Sequence, residues 1–363
     1  MNIIPAISAP EFKDIHSWND NSNHSIKELK GKVVLLDFWT YTCIFCLRTI
    51  PTIKKIKEEY SDKDLVVIGI HSAEYEFAKN ITNVERALKE LGLNEYITGY
   101  DTNNKTWEAY GNSYWPKHIL IDRDGFVRYE HPGYGTFDDF KEALNDLLDL
   151  PYSDAQLVQE KEREKEREKE EEKSSESKDD LFNENNEEKK NNREQNQVTK
   201  IYGMHFSGMA PEICVGYSRL RRFGNNQKAK IEEYNVFTEP VTVLDNTVYL
   251  RGKWGWNREG IKASFDHKEK HPSIIFKYNM ASNVNVIVAS TDEKPAFANI
   301  KIDGEFLTDK QLGYHTKKDS NSSFFEITWP HIMNLVKTSS PESHVLEILP
   351  TTDNFYFYTF VFG

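Results

Sequence analysis

Cysteine is scarce in this chain: Cys43, Cys46 and Cys214 are all that 363 residues contain. Three thiols cannot build a disulfide framework, so any fold must rest on an apolar core. The count fits a compartment where thiols stay reduced, and the cytoplasm is the expected location. Long apolar runs are missing too. Nowhere is there a stretch of the ~18 apolar residues that a membrane-spanning helix needs. Met1 to Trp18 shows neither a basic n-region nor an apolar h-region, so no signal peptide is predicted. Positive charge is in deficit: 46 Lys and Arg against 58 Asp and Glu give a formal net charge of −12. No basic cluster is interleaved with aromatics, which argues against a nucleic-acid partner.

What is present falls into two blocks around a segment that cannot bury anything. From Glu160 to Lys173 every residue is charged, and Asn- and Glu-rich sequence follows to about Gln197. Opposite charges at i,i+3 (Glu162 with Lys165) support a helix, while like charges at i,i+4 (Glu160 with Glu164) oppose it. Residues 153–197 therefore read as a charged low-complexity linker, partly helical or disordered, with a docking tail for a basic partner as the alternative. The expected domains are 1–152 and 198–363, and the chain is long enough for two cores.

The first block alternates strand and helix patterns. Val33 to Trp39 and Leu65 to Ile70 are continuous β-favouring runs, as strands buried on both faces would be. Between them, Ile50, Ile53, Ile56 and Tyr60 recur at helical spacing within Leu47 to Tyr60. Val84 to Leu91 reads as a helix closed by Gly92. His118 to Asp122 and Phe126 to Glu130 read as a hairpin around an Asp-Gly turn, and Phe137 to Leu150 as a closing helix. This order predicts an α/β domain with a mixed sheet. The second block alternates at period two: Ile274, Phe276, Tyr278 and Met280 on one face, then Val284, Val286 and Val288. Phe355 to Phe362 is aromatic at nearly every position, and the block is expected to be a β-sandwich.

Cys43-Ile44-Phe45-Cys46 falls where the first buried strand gives way to a helix. Thiols at i and i+3 on one turn meet with little backbone movement. At a helix start, unpaired N–H groups and the dipole favour a thiolate, so Cys43 is the expected nucleophile and Cys46 the resolving thiol. Asp37, inside the apolar strand, is a candidate to accept the Cys46 proton, its pKa raised by desolvation. Trp115-Pro116, just before a strand, is a candidate cis peptide and substrate ledge. Trp39, Ile44, Phe45, Trp115 and Pro116 are the candidate substrate contacts. No second C-x-x-C and no Cys/His pair at finger spacing is present, so no metal site is predicted. No cofactor is implied.

Val34-Leu35-Leu36-Asp37-Phe38-Trp39, then Cys43, Cys46 and Pro51, resembles the thioredoxin signature, and Asp37 and Pro116 fall at the family's buried aspartate and cis-proline. The string from Phe38 to Pro51 is similar to the TlpA-like branch, above all to the soluble portion of DipZ-type proteins and to NHL-repeat thioredoxins. Ile70-His71-Ser72 and Tyr110 to Pro116 add to that likeness. Gly252-Lys253-Trp254 and the terminal Tyr358 to Gly363 resemble the DipZ-type C-terminal domain, which implies an all-β jelly roll like that of carbohydrate-binding modules. The resemblance implies a thiol–disulfide oxidoreductase acting on protein thiols and disulfides. Its electrons would come from a thioredoxin-reductase-type or membrane reductant. Phe45 departs from the family, which usually carries Asn there. The apolar Ile44-Phe45 pair leans the reading toward a reductant.

Several readings stay open at this stage. Thr40-x-x-Cys43 allows a peroxiredoxin-like thiol peroxidase. Trp254 and Trp256 share one strand face, as core or as a carbohydrate platform on a binding module. His71, Glu74 and Glu76 are read as a solvated loop, with a part in the redox site as the alternative. Arg48 holds the thiolate or merely pairs on the helix surface. Cys214, between Ile213 and Val215, is read as a buried small hydrophobe.

Overall fold

The computed structural model describes residues 7–149, 201–203 and 209–363. The chain divides into two compact units, Met1–Gln195 and Asn196–Gly363. The predicted charged linker lies outside the described residues.

The first unit runs β1 (Ile7–Ser8), β2 (Val33–Trp39), α1 (Ile44–Glu59), β3 (Leu65–Ser72), α2 (Ile81–Glu90), β4 (Thr98–Asp101), α3 (Lys105–Ala109), β5 (Lys117–Ile121), β6 (Phe126–Pro132) and α4 (Asp138–Leu147). Its six strands order as β1-β6-β5-β2-β3-β4. Pairings β2–β3 and β3–β4 are parallel, while β2–β5, β5–β6 and β1–β6 are antiparallel, which is the mixed sheet expected. β2 is the central strand and every residue of it is buried, which explains its unbroken apolar run. Alternation sends Val34, Leu36 and Phe38 into a cluster with Ile68, Ile70, Trp107 and Tyr110. It sends Asp37 and Trp39 to the opposite face. In α1 the buried Leu47, Ile50, Ile53 and Ile56 form the inward stripe, and Pro51 sits inside the helix. A proline there leaves the Leu47 carbonyl without its usual N–H partner. β4 and α3 carry no strong pattern and were not foreseen; their four and five residues are too short to show a period.

The second unit is largely β. It comprises β7 (Ile213–Cys214), β8 (Tyr234–Phe237), β9 (Thr247–Trp256), β10 (Ile261–Ser264), β11 (Ser273–Ser290), β12 (Ala296–Ile302), β13 (Glu305–Phe306), β14 (Thr316–Lys318), β15 (Ser323–Ile327), β16 (His331–Pro350) and β17 (Phe355–Phe362). The hydrogen-bonded path is β14-β15-β12-β16-β11-β17-β10-β9-β8, with β13 on β12 and β7 on β17. The aromatic β17 lies between β11 and β10, so both its edges are paired, and all but one of its residues are buried, which places both its faces in the interior. The long β11 and β16 lose register between Tyr278 and Ala281 and twice more beyond it. That irregularity overturns one expectation: Met280 adopts φ 53° and is 49% exposed, instead of continuing the inward series of Ile274, Phe276 and Tyr278. Trp254 and Trp256 are core. Their indole N–H groups donate to the carbonyls of Arg251 and Val215, each at 2.8 Å. Buried rings present no platform, so the sugar-binding reading of these two residues is set aside. Cys214 is half-buried at a short strand, with the Thr359 hydroxyl 3.6 Å from its sulfur, rather than fully enclosed.

Candidate active site

The turn between β2 and α1 places Cys43 as the helix N-cap, in extended conformation at φ −90°, ψ 111°. The backbone N–H of Cys46 donates to the Cys43 sulfur at 3.2 Å. Cys43 is half-buried and open to a partner, whereas Cys46 is buried. Burial pushes the Cys46 thiol well above its ordinary pKa, and the neighbouring Cys43 sulfur and the Asp37 charge push the same way. One sulfur is thus reachable and the other is held protonated out of reach.

Asp37 lies on the same sheet face at 1% exposure. Its Oδ2 accepts the Tyr96 hydroxyl at 2.9 Å, and its Oδ1 is 3.3 Å from His118 Nε2. Neither Tyr96 nor His118 was anticipated. The signal for Tyr96 is a glycine: Gly69 stands directly opposite Asp37 on β3, and a Cβ there would lie 2.6 Å from Tyr96 Cε1. Only the bare backbone lets the Tyr96 ring cross β3 to reach the carboxylate. His118 is opposite Asp37 on the other side, in β5.

The loop before Cys43 is tied down from β3. His71 is buried, and burial pulls its pKa from 6.5 down to about 3, so it is neutral. Its Nε2 accepts the Tyr41 N–H at 3.4 Å and lies 3.4 Å from Thr40 Oγ1. The Tyr41 ring stacks on His71, 5.4 Å between centroids and 17° between planes. Thr40 Oγ1 also lies 3.3 Å from Thr42 Oγ1, which donates to Glu74 Oε2 at 2.9 Å. His71 and Glu74 therefore support the redox loop instead of forming a solvated one. Glu76 is exposed and pairs with Lys79, as the solvated reading expects. The Thr40 hydroxyl is engaged within this network.

The remaining candidates divide by exposure. Trp39 and Ile44 are 0% and 2% exposed, so they pack beneath the site and offer no substrate surface; Trp39 sits edge-on to His71. Phe45 is half-buried, with the Arg48 guanidinium 5.6 Å from its ring centre and the exposed Tyr134 ring at 6.1 Å. Arg48 is buried rather than lying on the helix surface, and desolvation lowers its pKa to about 10 against the opposing pull of Tyr134 and Cys43. The Trp115–Pro116 peptide is cis; Trp115 is half-buried and stacks on Trp107 at 4.1 Å. Among the described residues no cluster of His, Cys, Asp and Glu is arranged to hold a metal ion, and no helix is long and apolar enough to cross a membrane.

Residues 6–147 match the Redoxin family, and residues 210–363 match the family described as thioredoxin like C-terminal domain. The chain thus carries a Redoxin domain followed by a thioredoxin like C-terminal domain. Protein DipZ of Mycobacterium tuberculosis is 31% identical over 299 residues, covering 80% of this chain and 37% of that protein. The chain thus spans little more than a third of the length of that relative. The thiol-disulfide oxidoreductase ResA of Geobacillus thermodenitrificans is 27% identical over 140 residues, 39% of this chain and 76% of its own. Among solved structures, the exposed lipoprotein thioredoxin of Streptococcus pneumoniae is 27% identical with a TM-score of 0.34, covering 38% of this chain and all of that one.

Proposed function

We propose that this chain exchanges disulfides with protein substrates through Cys43 and Cys46, working as a reductant. The observation that carries the reading is the inequality of the two sulfurs: an accessible N-cap thiol beside a buried one whose pKa is raised. In the reductive direction the Cys43 thiolate attacks a substrate disulfide, forming a mixed disulfide and releasing one substrate thiolate. Cys46 then loses its proton to Asp37 and attacks the Cys43 sulfur. The internal disulfide forms, and the second substrate thiolate leaves. Phe45, Tyr134 and Trp115 supply the apolar rim against which a substrate segment would lie, next to Pro116. Electrons return from a separate dithiol donor, of the thioredoxin-reductase or membrane-reductase class.

The scarcity of cysteine supports a cytoplasmic setting, where thiols stay reduced. The C-terminal domain reads as a jelly roll that carries a partner or carbohydrate surface elsewhere than Trp254 and Trp256, joined to the redox domain through the charged segment. Its antiparallel path, with long strands that break register, supports that reading. The test is the reduction of a disulfide-bonded protein such as insulin by the full chain, together with the potential of the Cys43–Cys46 couple. Turnover with a potential near about −270 mV supports the reductant, one near about −120 mV reverses the direction, and no exchange at all removes the activity.

A further inference from the structure

Asp37, His118 and His131 stand in one row across three neighbouring strands. Asp37 of β2 is directly opposite His118 of β5, and His118 is directly opposite His131 of β6. Directly opposed residues share a sheet face. The row therefore begins beside the buried Cys46 and runs outward along the sheet. Asp37 and His118 are 1% and 0% exposed, while His131 is half-buried.

The first gap in the row is short, and in the second the two rings are neighbours. Asp37 Oδ1 and His118 Nε2 are 3.3 Å apart, within ion-pair reach. Among the described residues, neither ring nitrogen of His118 has an aligned hydrogen-bond partner, and the same holds for His131 Nε2. Buried polar groups are nearly always paired, so a fully buried imidazole without a fixed partner needs an explanation. The His118 and His131 ring centres are 5.8 Å apart. Phe137 closes over both rings, at 5.0 Å from His118 and 4.5 Å from His131, with Phe140 behind it.

We propose that His118 and His131 take the proton that Cys46 gives to Asp37 and pass it across the sheet to solvent. The proposal rests on the oxidoreductase reading and assigns the proton's exit in its second step. Cys46–SH transfers H⁺ to the Asp37 carboxylate, Asp37 returns to its charged form by protonating His118, and His131 delivers the proton outside. No electron moves along the row. Burial and His118 both lower the pKa of His131. The other ionisable groups facing the row are Cys46 from α1, Tyr96 from the segment before β4, and Asp139 from α4. His118 is thus a positioning and relay residue, since it reaches the reacting sulfur only through Asp37.

The experiment separates the two steps in the full chain. Formation of the mixed disulfide with thionitrobenzoate is timed in a Cys46→Ser background. Resolution is timed by thionitrobenzoate release with Cys46 present. His118→Gln keeps volume and polarity but cannot carry the proton at neutral pH. Resolution is expected to slow by about fivefold or more, with an altered pH profile, while the first attack changes less than about twofold. His131→Gln, at a half-exposed position, should slow resolution less and recover with added imidazole buffer. Wild-type resolution rates and pH profile in both variants would overturn the relay, and so would equal slowing of both steps. If His118→Gln does not fold, His131→Gln decides alone: absence of buffer-rescued slowing overturns the proposal. A wild-type chain that forms no mixed disulfide removes the oxidoreductase reading itself. One that forms and resolves it independently of both histidines removes only the relay.

Discussion

Cys46 donates its backbone N–H to the sulfur of Cys43 at 3.2 Å while its own sulfur is buried within the field of Asp37. One residue thus supports its partner's attack and is itself withheld from the first step. The buried thiol can act only after the mixed disulfide has formed next to it.

That division predicts two different failures. Cys43→Ser abolishes disulfide reduction, because the remaining thiol is buried. Cys46→Ser leaves the first attack intact and accumulates a mixed disulfide, visible as a mass increase on intact protein. In Cys43→Ser, burial still holds the Cys46 pKa well above that of a free thiol. Its alkylation at neutral pH should be slow, rising only at pH values above about 8.5. Normal turnover by Cys43→Ser would refute the assignment.

The neutral, buried His71 predicts an acid-labile redox loop. Its folded pKa of about 3 lies below the ordinary 6.5, so the unfolded chain binds the proton first as pH falls. The stability this group contributes is complete above pH 6.5 and is lost as pH drops toward 3. The loss is on the order of 5 kcal/mol at full titration. His71→Gln, which keeps an acceptor but does not titrate, should flatten that slope. Hydrogen exchange of peptides from β3 and the start of α1, followed from pH 7 to pH 4, reads it out. Parallel pH slopes in wild type and variant would remove His71 as the cause.

Local pattern was enough to read most of the redox domain. β2 announces itself because a strand covered on both faces must be apolar throughout, and Cys43 because a C-x-x-C at a strand–helix junction has a distinct chemistry. The partners of Asp37 were not readable in that way. Tyr96 and His118 are distant in sequence, and only the register of β3 and β5 brings them to the carboxylate. The same holds for His71, whose bond to the Tyr41 amide follows from the β2–β3 pairing. In the C-terminal domain, period-two alternation located β11 but could not see the register break that turns Met280 outward.

Trp254 tests the core reading of the second domain. It is fully buried and its N–H is satisfied by the Arg251 carbonyl. Trp254→Ala removes a large side chain from a closed site and should cost about 3–5 kcal/mol, read as a lower urea midpoint for that domain. A change below about 1 kcal/mol would mean the ring is not packed as described.

Gly69 offers a separate handle on Asp37. A methyl group there would lie 2.6 Å from Tyr96 Cε1 and 3.0 Å from Trp39 Nε1. Both rings are enclosed, so neither can simply swing into solvent. Gly69→Ala should destabilise the domain by about 1–3 kcal/mol through overpacking and push the Tyr96 hydroxyl off Asp37. Tyr96→Phe removes the same bond without the crowding. A carboxylate that loses a hydroxyl donor is differently polarised, so both variants should shift the Asp37 carboxylate stretching bands. Infrared difference spectra at fixed pH measure that shift directly. A shift in Gly69→Ala with none in Tyr96→Phe would place the effect in strand packing instead of in the hydroxyl. Matching shifts would show that the glycine serves the site by admitting the tyrosine.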